Sequence, residues 1–248
     1  MPRLNETRIG AVLTEPFGGT FSRSASASPH AQHATALLIG LDADVAVGAD
    51  GGGARGRAVI VPPGLAHTAS CPGPVVAYAF DPELCPRLAG AARALGGPRA
   101  LDGAAAAHVV GAVVAHGGEL ARPAVLAGVG DEVHRALATG AERPLDRRIA
   151  RLVEALRDPD ADAAAAAART RLSAAHLQAL FARDVGIPIR SYRLWRRLLH
   201  ALARVGPLDL TAAAHAAAFA DLAHLSRTCR RMLGYAPSAL RANLHPGR

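Results

Sequence analysis

The C-terminal third of the chain contains two copies of one short pattern, at 162–182 and 210–234. Each copy reads as an Ala-rich helix, a tight turn, an N-capping residue and a second helix that contains His-Leu. The capping residues are Ser173 and Asp221, whose side-chain oxygens suit the exposed amides at the start of a helix. Two helices joined by so short a turn predict a helix-turn-helix unit. Two such units predict contact with two successive major grooves of one DNA duplex.

Positive charge is concentrated in the part of the chain that carries this repeat. Residues 147–248 contain 17 Arg and 7 acidic residues, whereas residues 1–146 contain 11 Arg and 13 acidic residues. The chain has no Lys, so all of its net charge of +8 comes from Arg. A localised positive field suits a polyanionic partner such as double-stranded DNA, and a solvated Arg-rich surface is the alternative.

The N-terminal part predicts strands and the remainder predicts helices. Short apolar runs separated by turn residues predict strands at 10–14, 36–41, 45–47, 58–61 and 75–80. Apolar periodicity then predicts helices at 82–95, 102–116, 122–138, 145–157 and 190–205. We therefore expect an α+β fold with a small N-terminal β-barrel over 1–82, a helical segment over 83–143 and an all-α domain over 144–248. The helical segment is either a dimer face or a layer that covers the barrel.

The cysteines, the N-terminus and the longest apolar stretch indicate the cellular compartment in which we expect the protein. Cys71, Cys85 and Cys229 are odd in number and widely spaced, which fits neither a disulfide framework nor a zinc site. The N-terminus lacks a basic-then-apolar signal pattern. The longest apolar stretch, 103–118, is too short to span a bilayer and contains two histidines. We expect a cytoplasmic protein with no membrane partner.

The C-terminal motifs resemble the AraC family of transcription regulators over roughly 146–248. The first unit contains the family's spaced Leu-Ser, Leu, Phe, Gly and Tyr at 172–192. The second contains its Leu-x-x-x-Ala and Phe at 210–219 and the run His-Leu-Ser-Arg to Gly-Tyr-Ala-Pro at 224–237. The chain departs from the family pattern at Ala218, which replaces the usual turn Gly, and at Leu225 and Cys229, which replace aromatic residues.

The resemblance implies that the exposed face of each second helix contacts DNA. Gln178 suits bidentate pairing with adenine, Ala175 suits a thymine methyl, and Arg227 suits either guanine or a phosphate. Together with flanking residues that position the backbone, the predicted DNA-binding set is Ser173, Ala175, His176, Gln178, Arg183, Arg193, Arg196, Ala223, His224, Arg227 and Arg231.

The N-terminal part resembles the cupin-like sensor domain that often precedes this module. Residues 56–67 follow the motif Gly-x5-Pro-x-Gly-x2-His, which places His67 at the end of a Pro-Gly turn. His30, His33 and His67 are the predicted effector-binding residues. The pair His30 and His33 has the wrong spacing for the family's metal motif, so we expect a small organic effector with neither a metal nor another cofactor. A filled barrel without a ligand is the alternative.

Together these patterns predict a sequence-specific, DNA-binding transcription regulator that senses a small-molecule effector, is not an enzyme and forms a homodimer. One alternative is a metal-dependent or metal-free cupin enzyme with a basic accessory domain. That alternative needs a catalytic constellation, and the sequence shows no nucleophile-base-acid set. A second alternative is a structural nucleic-acid-binding protein without sequence preference.

Overall fold

A computed structural model describes residues 10–139, 144–158, 160–205 and 208–241. The strands are β1 Gly10–Leu13, β2 Phe17–Ser22, β3 Ala25–His30, β4 Thr35–Gly40, β5 Val45–Ala49, β6 Gly52–Gly56, β7 Ala58–Val61, β8 His67–Cys71, β9 Val75–Phe80 and β10 Arg99–Ala100. The helices are α1 Pro86–Ala94, α2 Gly103–His116, α3 Pro123–Leu137, α4 Arg147–Leu156, α5 Ala163–Ala168, α6 Ala174–Val185, α7 Ile189–Arg204, α8 Leu210–Ala216, α9 Leu222–Leu233 and α10 Pro237–Arg241. The α+β fold predicted from the sequence is confirmed.

The strands form two antiparallel sheets that face each other. One sheet has the order β1-β2-β9-β4-β7-β10 and the other has the order β3-β8-β5-β6. Side chains alternate across β4, where Leu37 and Ile39 pack towards the helices while Ala36 and Leu38 pack between the sheets. Because the six-stranded sheet is covered on both faces, β4 and β7 are buried along their whole length and appear in the sequence as continuous apolar runs.

Five strands were absent from the sequence prediction. One is the two-residue strand β10. The others are β2, β3, β6 and β8, and their sequences are rich in Gly, Ala and Ser, which are not typical strand residues. Each is held by pairing with a neighbour: β2 pairs with β9, β3 with β8, and β6 with β5. The Gly-rich stretch at 50–56 has the composition of a turn. In the structure it forms both the turn and the second strand of the β5–β6 hairpin.

The helical segment covers the outer face of the six-stranded sheet. Val109 and Val113 of α2 and Leu126 and Val133 of α3 are buried in the same cluster as the outward-facing residues of β4 and β9. The Tyr78 hydroxyl donates a hydrogen bond of 2.8 Å to the Leu126 carbonyl, which ties β9 to α3. The covering layer considered above is therefore present, and dimerisation through this segment stays a prediction. Within the described ranges, no helix combines the length and apolar character needed to cross a membrane.

The C-terminal domain consists of seven helices in the part of the chain that the structure describes, α4 to α10. One apolar cluster joins α4 to the first unit, α5 and α6, and a second joins α7 to the second unit, α8 and α9. Leu225 and Cys229, which stand where the family has aromatic residues, are fully buried in the second cluster. Helix α7 lies between the units, as its position in the sequence predicted. The domain bounds predicted at 82/83 and 143/144 stay predictions, since residues 140–143 and the chain ends lie outside the described residues.

Both turns between paired helices contain a non-glycine residue in the left-handed region. Arg171 has φ 55° in the first unit and Ala218 has φ 56° in the second. A Cβ atom in this region meets the following carbonyl, so each residue costs about 1 kcal/mol or more relative to Gly. The family's usual turn Gly stands at the position of Ala218, which explains that preference physically.

Replacing Ala218 with Gly is expected to stabilise the protein by about 1 kcal/mol, because Gly adopts this φ without the Cβ clash. Urea denaturation followed by the fluorescence of Trp195, the chain's single Trp, measures the change. Ala216→Gly is the matched control, since Ala216 lies two residues earlier within α8 and the change should cost about 0.5–1 kcal/mol there. Equal effects of the two substitutions would contradict the strain at Ala218.

Candidate DNA-binding surface and ligand cavity

The first predicted recognition helix is α6. The Ser173 hydroxyl caps it by accepting a hydrogen bond of 3.4 Å from the His176 amide. Leu177, Leu180 and Phe181 are buried and anchor the inner face. The outer face leaves Ala175, His176, Gln178 and Arg183 exposed, so the structure brings these predicted residues together on one helix. The Arg183 guanidinium also forms an ion pair of 2.7 Å with Asp184.

The second predicted recognition helix, α9, has the same construction. Asp221 accepts a hydrogen bond of 2.6 Å from the His224 amide, and the inner face buries Leu225, Thr228, Cys229 and Met232. Ala223, Arg227 and Arg231 are exposed. The His224 ring is half-buried and packs edge-on against Phe219 at 5.0 Å, so this side chain supports the turn as well as bordering the surface.

The two predicted contacts on α7 differ in their surroundings. Arg193 is half-buried. The Arg196 side chain is only 12% exposed, and its guanidinium reaches Asp81 at 3.4 Å and Glu15 at 3.2 Å. Both carboxylates belong to the N-terminal domain, so Arg196 holds the two domains together. This placement corrects the sequence-based assignment of Arg196, and we leave it out of the DNA-binding surface.

Asp81 is the centre of this contact between the domains. Its carboxylate accepts a hydrogen bond of 2.9 Å from the Trp195 indole as well as the charged hydrogen bond from Arg196. Burial and the neighbouring charge of Glu83 raise the pKa of Asp81 to about 6. Burial also opposes ionisation of Glu83, but the hydrogen bond of 2.8 Å from His33 holds the pKa of Glu83 below its usual range.

His33 therefore belongs to the domain interface. Its ring packs edge-on against Tyr192 at 5.6 Å and Trp195 at 6.2 Å, and it does not line the cavity described below. This is a second correction, because His33 was predicted to bind an effector with His30 and His67. Sequence reasoning also missed the interface roles of Glu15, Asp81 and Glu83. The partners of Glu15 and Asp81 lie more than 100 residues away along the chain, and the partner of Glu83, His33, lies 50 residues away.

The second recognition helix also contacts the four-stranded sheet. The backbone amide of Ser28 donates to the Gly234 carbonyl at 3.2 Å, and that of Ala31 donates to the Arg231 carbonyl at 3.0 Å. Gly234 ends α9 with φ 81°, and a Cβ there would lie 2.8 Å from the Nδ1 atom of His30. Only Gly permits both this backbone conformation and this close approach.

A cavity of about 300 Å³ lies between the two sheets. Its walls are mostly apolar and come from β1, β2, β4 and β9 on one side and from β3 and β8 on the other. The C-terminal domain closes it with Trp195, Leu199, Leu202, Leu233 and Tyr235. A ligand in this cavity would contact both domains at once.

His30 and His67 meet in this cavity, with their ring centres 4.2 Å apart. The Nδ1 atom of His30 donates to the Ser28 carbonyl at 2.8 Å, and that of His67 donates to the Leu65 carbonyl at 2.9 Å, since a carbonyl only accepts. Burial lowers the pKa of His30, and burial lowers the pKa of His67 to about 4. Both rings are therefore neutral near pH 7. Among the described residues, no group of three or more His, Cys, Asp or Glu side chains is placed to hold a metal ion.

Replacing Asp81 with Ala is expected to lower the free energy of unfolding by about 2 kcal/mol, because the buried Trp195 N–H loses its acceptor and Arg196 loses one of its two anions. Urea denaturation followed by Trp195 fluorescence measures this loss. The control is Asp44→Ala, which removes an exposed pair with Arg55 and should cost no more than about 0.5 kcal/mol. If Asp81→Ala lowers the free energy of unfolding as little as Asp44→Ala does, the Asp81 contact is dispensable.

The buried histidines make stability depend on pH. In the unfolded chain, His67 becomes protonated as the pH falls through the ordinary histidine pKa of 6.5. In the folded chain, it stays neutral until about pH 4. The contribution of neutral His67 to the free energy of unfolding is thus present above pH 6.5 and is lost as the pH falls towards 4. Lowering the pH from 7.5 to 5 should cost about 2 kcal/mol through His67, and His67→Leu should lose correspondingly less over the same range. Denaturation curves at both pH values test this, and an unchanged pH dependence in the variant would contradict it.

Comparison with known proteins agrees with this architecture. A family model described as a helix-turn-helix domain matches residues 166–243, which include most of the first predicted unit and all of the second. No curated protein matches the chain.

Among solved structures, the chain resembles ToxT from Vibrio cholerae O395, with 11% identity, a TM-score of 0.57 and coverage of 92% of this chain and 98% of that chain. It also resembles wild-type ToxT from Vibrio cholerae strain SCE256 with bound unsaturated fatty acid, with 12% identity, a TM-score of 0.51 and coverage of 98% of each chain. A third similar structure is ToxT bound to (E)-4-(8-methylnaphthalen-1-yl)but-3-enoic acid, with 9% identity, a TM-score of 0.55 and coverage of 95% and 98%.

At these identities the structural likeness shows the fold, which is shared over both domains. The helix-turn-helix match covers the module whose motifs resembled the AraC family. The matched model and the two capped helix pairs identify a helix-turn-helix domain in the C-terminal part of this chain, joined to an N-terminal β domain in a fold shared with ToxT.

Proposed function

We propose that this chain is a one-component transcription regulator that binds double-stranded DNA through α6 and α9 and senses a small molecule in the cavity between its sheets. The observation that carries the DNA-binding part is the exposure of Gln178 and Arg227 on the outer faces of two capped helices. The high density of Arg around these helices adds the field that attracts the phosphate backbone.

The exposed side chains fall into two groups, those that contact base edges and those that contact the DNA backbone. Gln178 pairs with adenine, Ala175 contacts a thymine methyl and Arg227 pairs with guanine, because these groups match the donor and acceptor pattern of the major groove. The other proposed contacts position the backbone, and they are Ser173, His176, Arg183, Arg193, Ala223, His224 and Arg231. The two helices enter adjacent major grooves about 34 Å apart on one face of the duplex.

The cavity supplies the effector site, because the C-terminal domain forms part of its wall. Its size and mostly apolar lining are those of a small-molecule site. ToxT, which shares the fold, has been solved with an unsaturated fatty acid and with a butenoic acid derivative, which supports the use of this fold to hold small molecules. A ligand changes the DNA affinity only if it binds more tightly to one arrangement of the two domains than to another. Because both domains contribute to the cavity wall, the ligand's affinity depends on how the domains are arranged.

Assembly and location belong to the same proposal. We propose a homodimer in the cytoplasm, with the helical segment as the contact between copies. Val114 on α2 is 49% exposed and would be covered by such a contact. Sedimentation of the full chain, with Val114→Arg as the variant, tests the assembly, and an unchanged dimer in that variant would move the contact elsewhere.

Arg227→Ala and Gln178→Ala are each expected to weaken binding by about 1–3 kcal/mol to duplexes that the wild-type protein selects from a random pool. The loss should fall on particular base pairs, because each side chain reads one base. Fluorescence anisotropy at several salt concentrations measures it. If Arg227→Ala instead weakens all sequences alike and reduces the salt dependence, Arg227 contacts a phosphate.

Arg122→Ala is the matched control for these variants. Arg122 is exposed before α3 and pairs with Glu119, away from α6 and α9, so DNA affinity should be unchanged. Failure of the wild-type protein to enrich any duplex at low salt would contradict the proposed function. Retention of random duplexes without enrichment would favour a structural nucleic-acid-binding protein.

A further inference from the structure

The charges around the cavity restrict the kind of ligand that it accepts. No Arg side chain lines it within the residues that the structure describes, and the chain has no Lys. Arg196 lies beside the cavity residue Asp81, but Asp81 and Glu15 already neutralise it. A carboxylate buried here would lose its hydration without gaining a cationic partner, which is strongly unfavourable.

The histidine pair supplies acceptors instead of cations. Each Nδ1 atom is committed to a backbone carbonyl, which leaves Nε2 as the unprotonated nitrogen of a neutral ring. Neither Nε2 atom has a hydrogen-bond partner among the described residues, although the His30 and His67 side chains are buried and line the cavity. Both Nε2 atoms are therefore free to accept, and a ligand that donates a hydrogen bond to either of them is favoured.

Three donors of the cavity wall are already in use. The Tyr78 hydroxyl donates to the Leu126 carbonyl, the Trp195 indole donates to Asp81, and the Thr14 hydroxyl donates to the Phe17 carbonyl. The wall also contains side chains that can both donate and accept, which are Thr20, Ser22, Ser24, Ser26, Gln32 and Tyr235. The Nε2 atoms of the two histidines only accept, so this arrangement suits a mostly apolar molecule with a hydroxyl or N–H group.

We propose that the effector of this cavity is a neutral, mostly apolar molecule whose hydroxyl or N–H group donates to Nε2 of His30 or His67, and that it is not a carboxylic acid. This inference rests on the proposed effector site. It also indicates how binding reaches DNA. His30 donates to the Ser28 carbonyl, and the Ser28 amide donates to the Gly234 carbonyl at the end of α9. A ligand held by His30 therefore acts on the contact that fixes the second recognition helix.

Three probes of nearly equal size test the class of ligand. They are octan-1-ol, which donates; 1-methoxyheptane, which accepts but does not donate; and octanoate, which is anionic. Each is titrated into the full-length protein at pH 7.5 with EDTA present, and the fluorescence of Trp195, which lines the cavity, reports binding. We expect octan-1-ol to bind at least tenfold more tightly than either of the other probes.

Histidine variants test the acceptors separately from the fold. In the double variant His30→Leu/His67→Leu, octan-1-ol and 1-methoxyheptane should bind equally, because both Nε2 acceptors are gone while an apolar wall remains. His108→Leu is the control, since His108 is half-exposed on α2 and pairs with Glu132 outside the cavity. If a cavity variant fails to fold, the three-probe comparison on the wild-type protein still decides the question.

The outcomes separate this inference from the proposed function. Octanoate binding as tightly as octan-1-ol would overturn the ligand class while leaving the cavity as an effector site. Equal binding of alcohol and ether would overturn recognition by the histidines. Absence of binding by all three would also overturn the inference. The DNA-binding part of the proposed function depends on the duplex selection described above and fails only there.

Discussion

One buried carboxylate lies at the centre of the contact between the two domains. Burying Asp81 is unfavourable, as its raised pKa shows, and the Trp195 indole and the Arg196 guanidinium offset that cost. These bonds fix α7 against the end of β9. Helix α7 carries Trp195, Leu199 and Leu202, which together close one side of the cavity. The ligand site and the relative position of the domains therefore depend on the same contact.

A shared wall has a mechanistic consequence for signalling. Since Trp195 and Leu233 lie on helices of the DNA-binding domain, a molecule between the sheets contacts that domain directly. No relay through the barrel is needed, because any difference in how the two domain arrangements fit the ligand becomes a difference in DNA affinity. The Ser28–Gly234 backbone contact adds a second route, which reaches the end of α9 from the other sheet.

Local signals in the sequence predicted the helices better than the strands or the interface. Capping residues and apolar periodicity act within one turn, so Ser173, Asp221 and the buried face of α9 were visible in the sequence. Strands such as β3 are held by partners far along the chain, and their Ala and Ser residues gave no signal. Arg196 was misassigned for the same reason, because its anionic partners come from strand ends more than 100 residues earlier.

The distribution of Arg explains how so basic a chain keeps positive charge out of its ligand cavity. A guanidinium stays protonated in proteins, so an Arg in the cavity wall would be a permanent charge. Arg157 and Arg196 reach the N-terminal domain, where both pair with Glu15; Asp81 is a further partner of Arg196 and Glu154 a further partner of Arg157. Neutral histidines take the polar positions of the cavity instead. The positive field is thereby left to the outer faces of the helices, where a polyanion such as DNA is attracted.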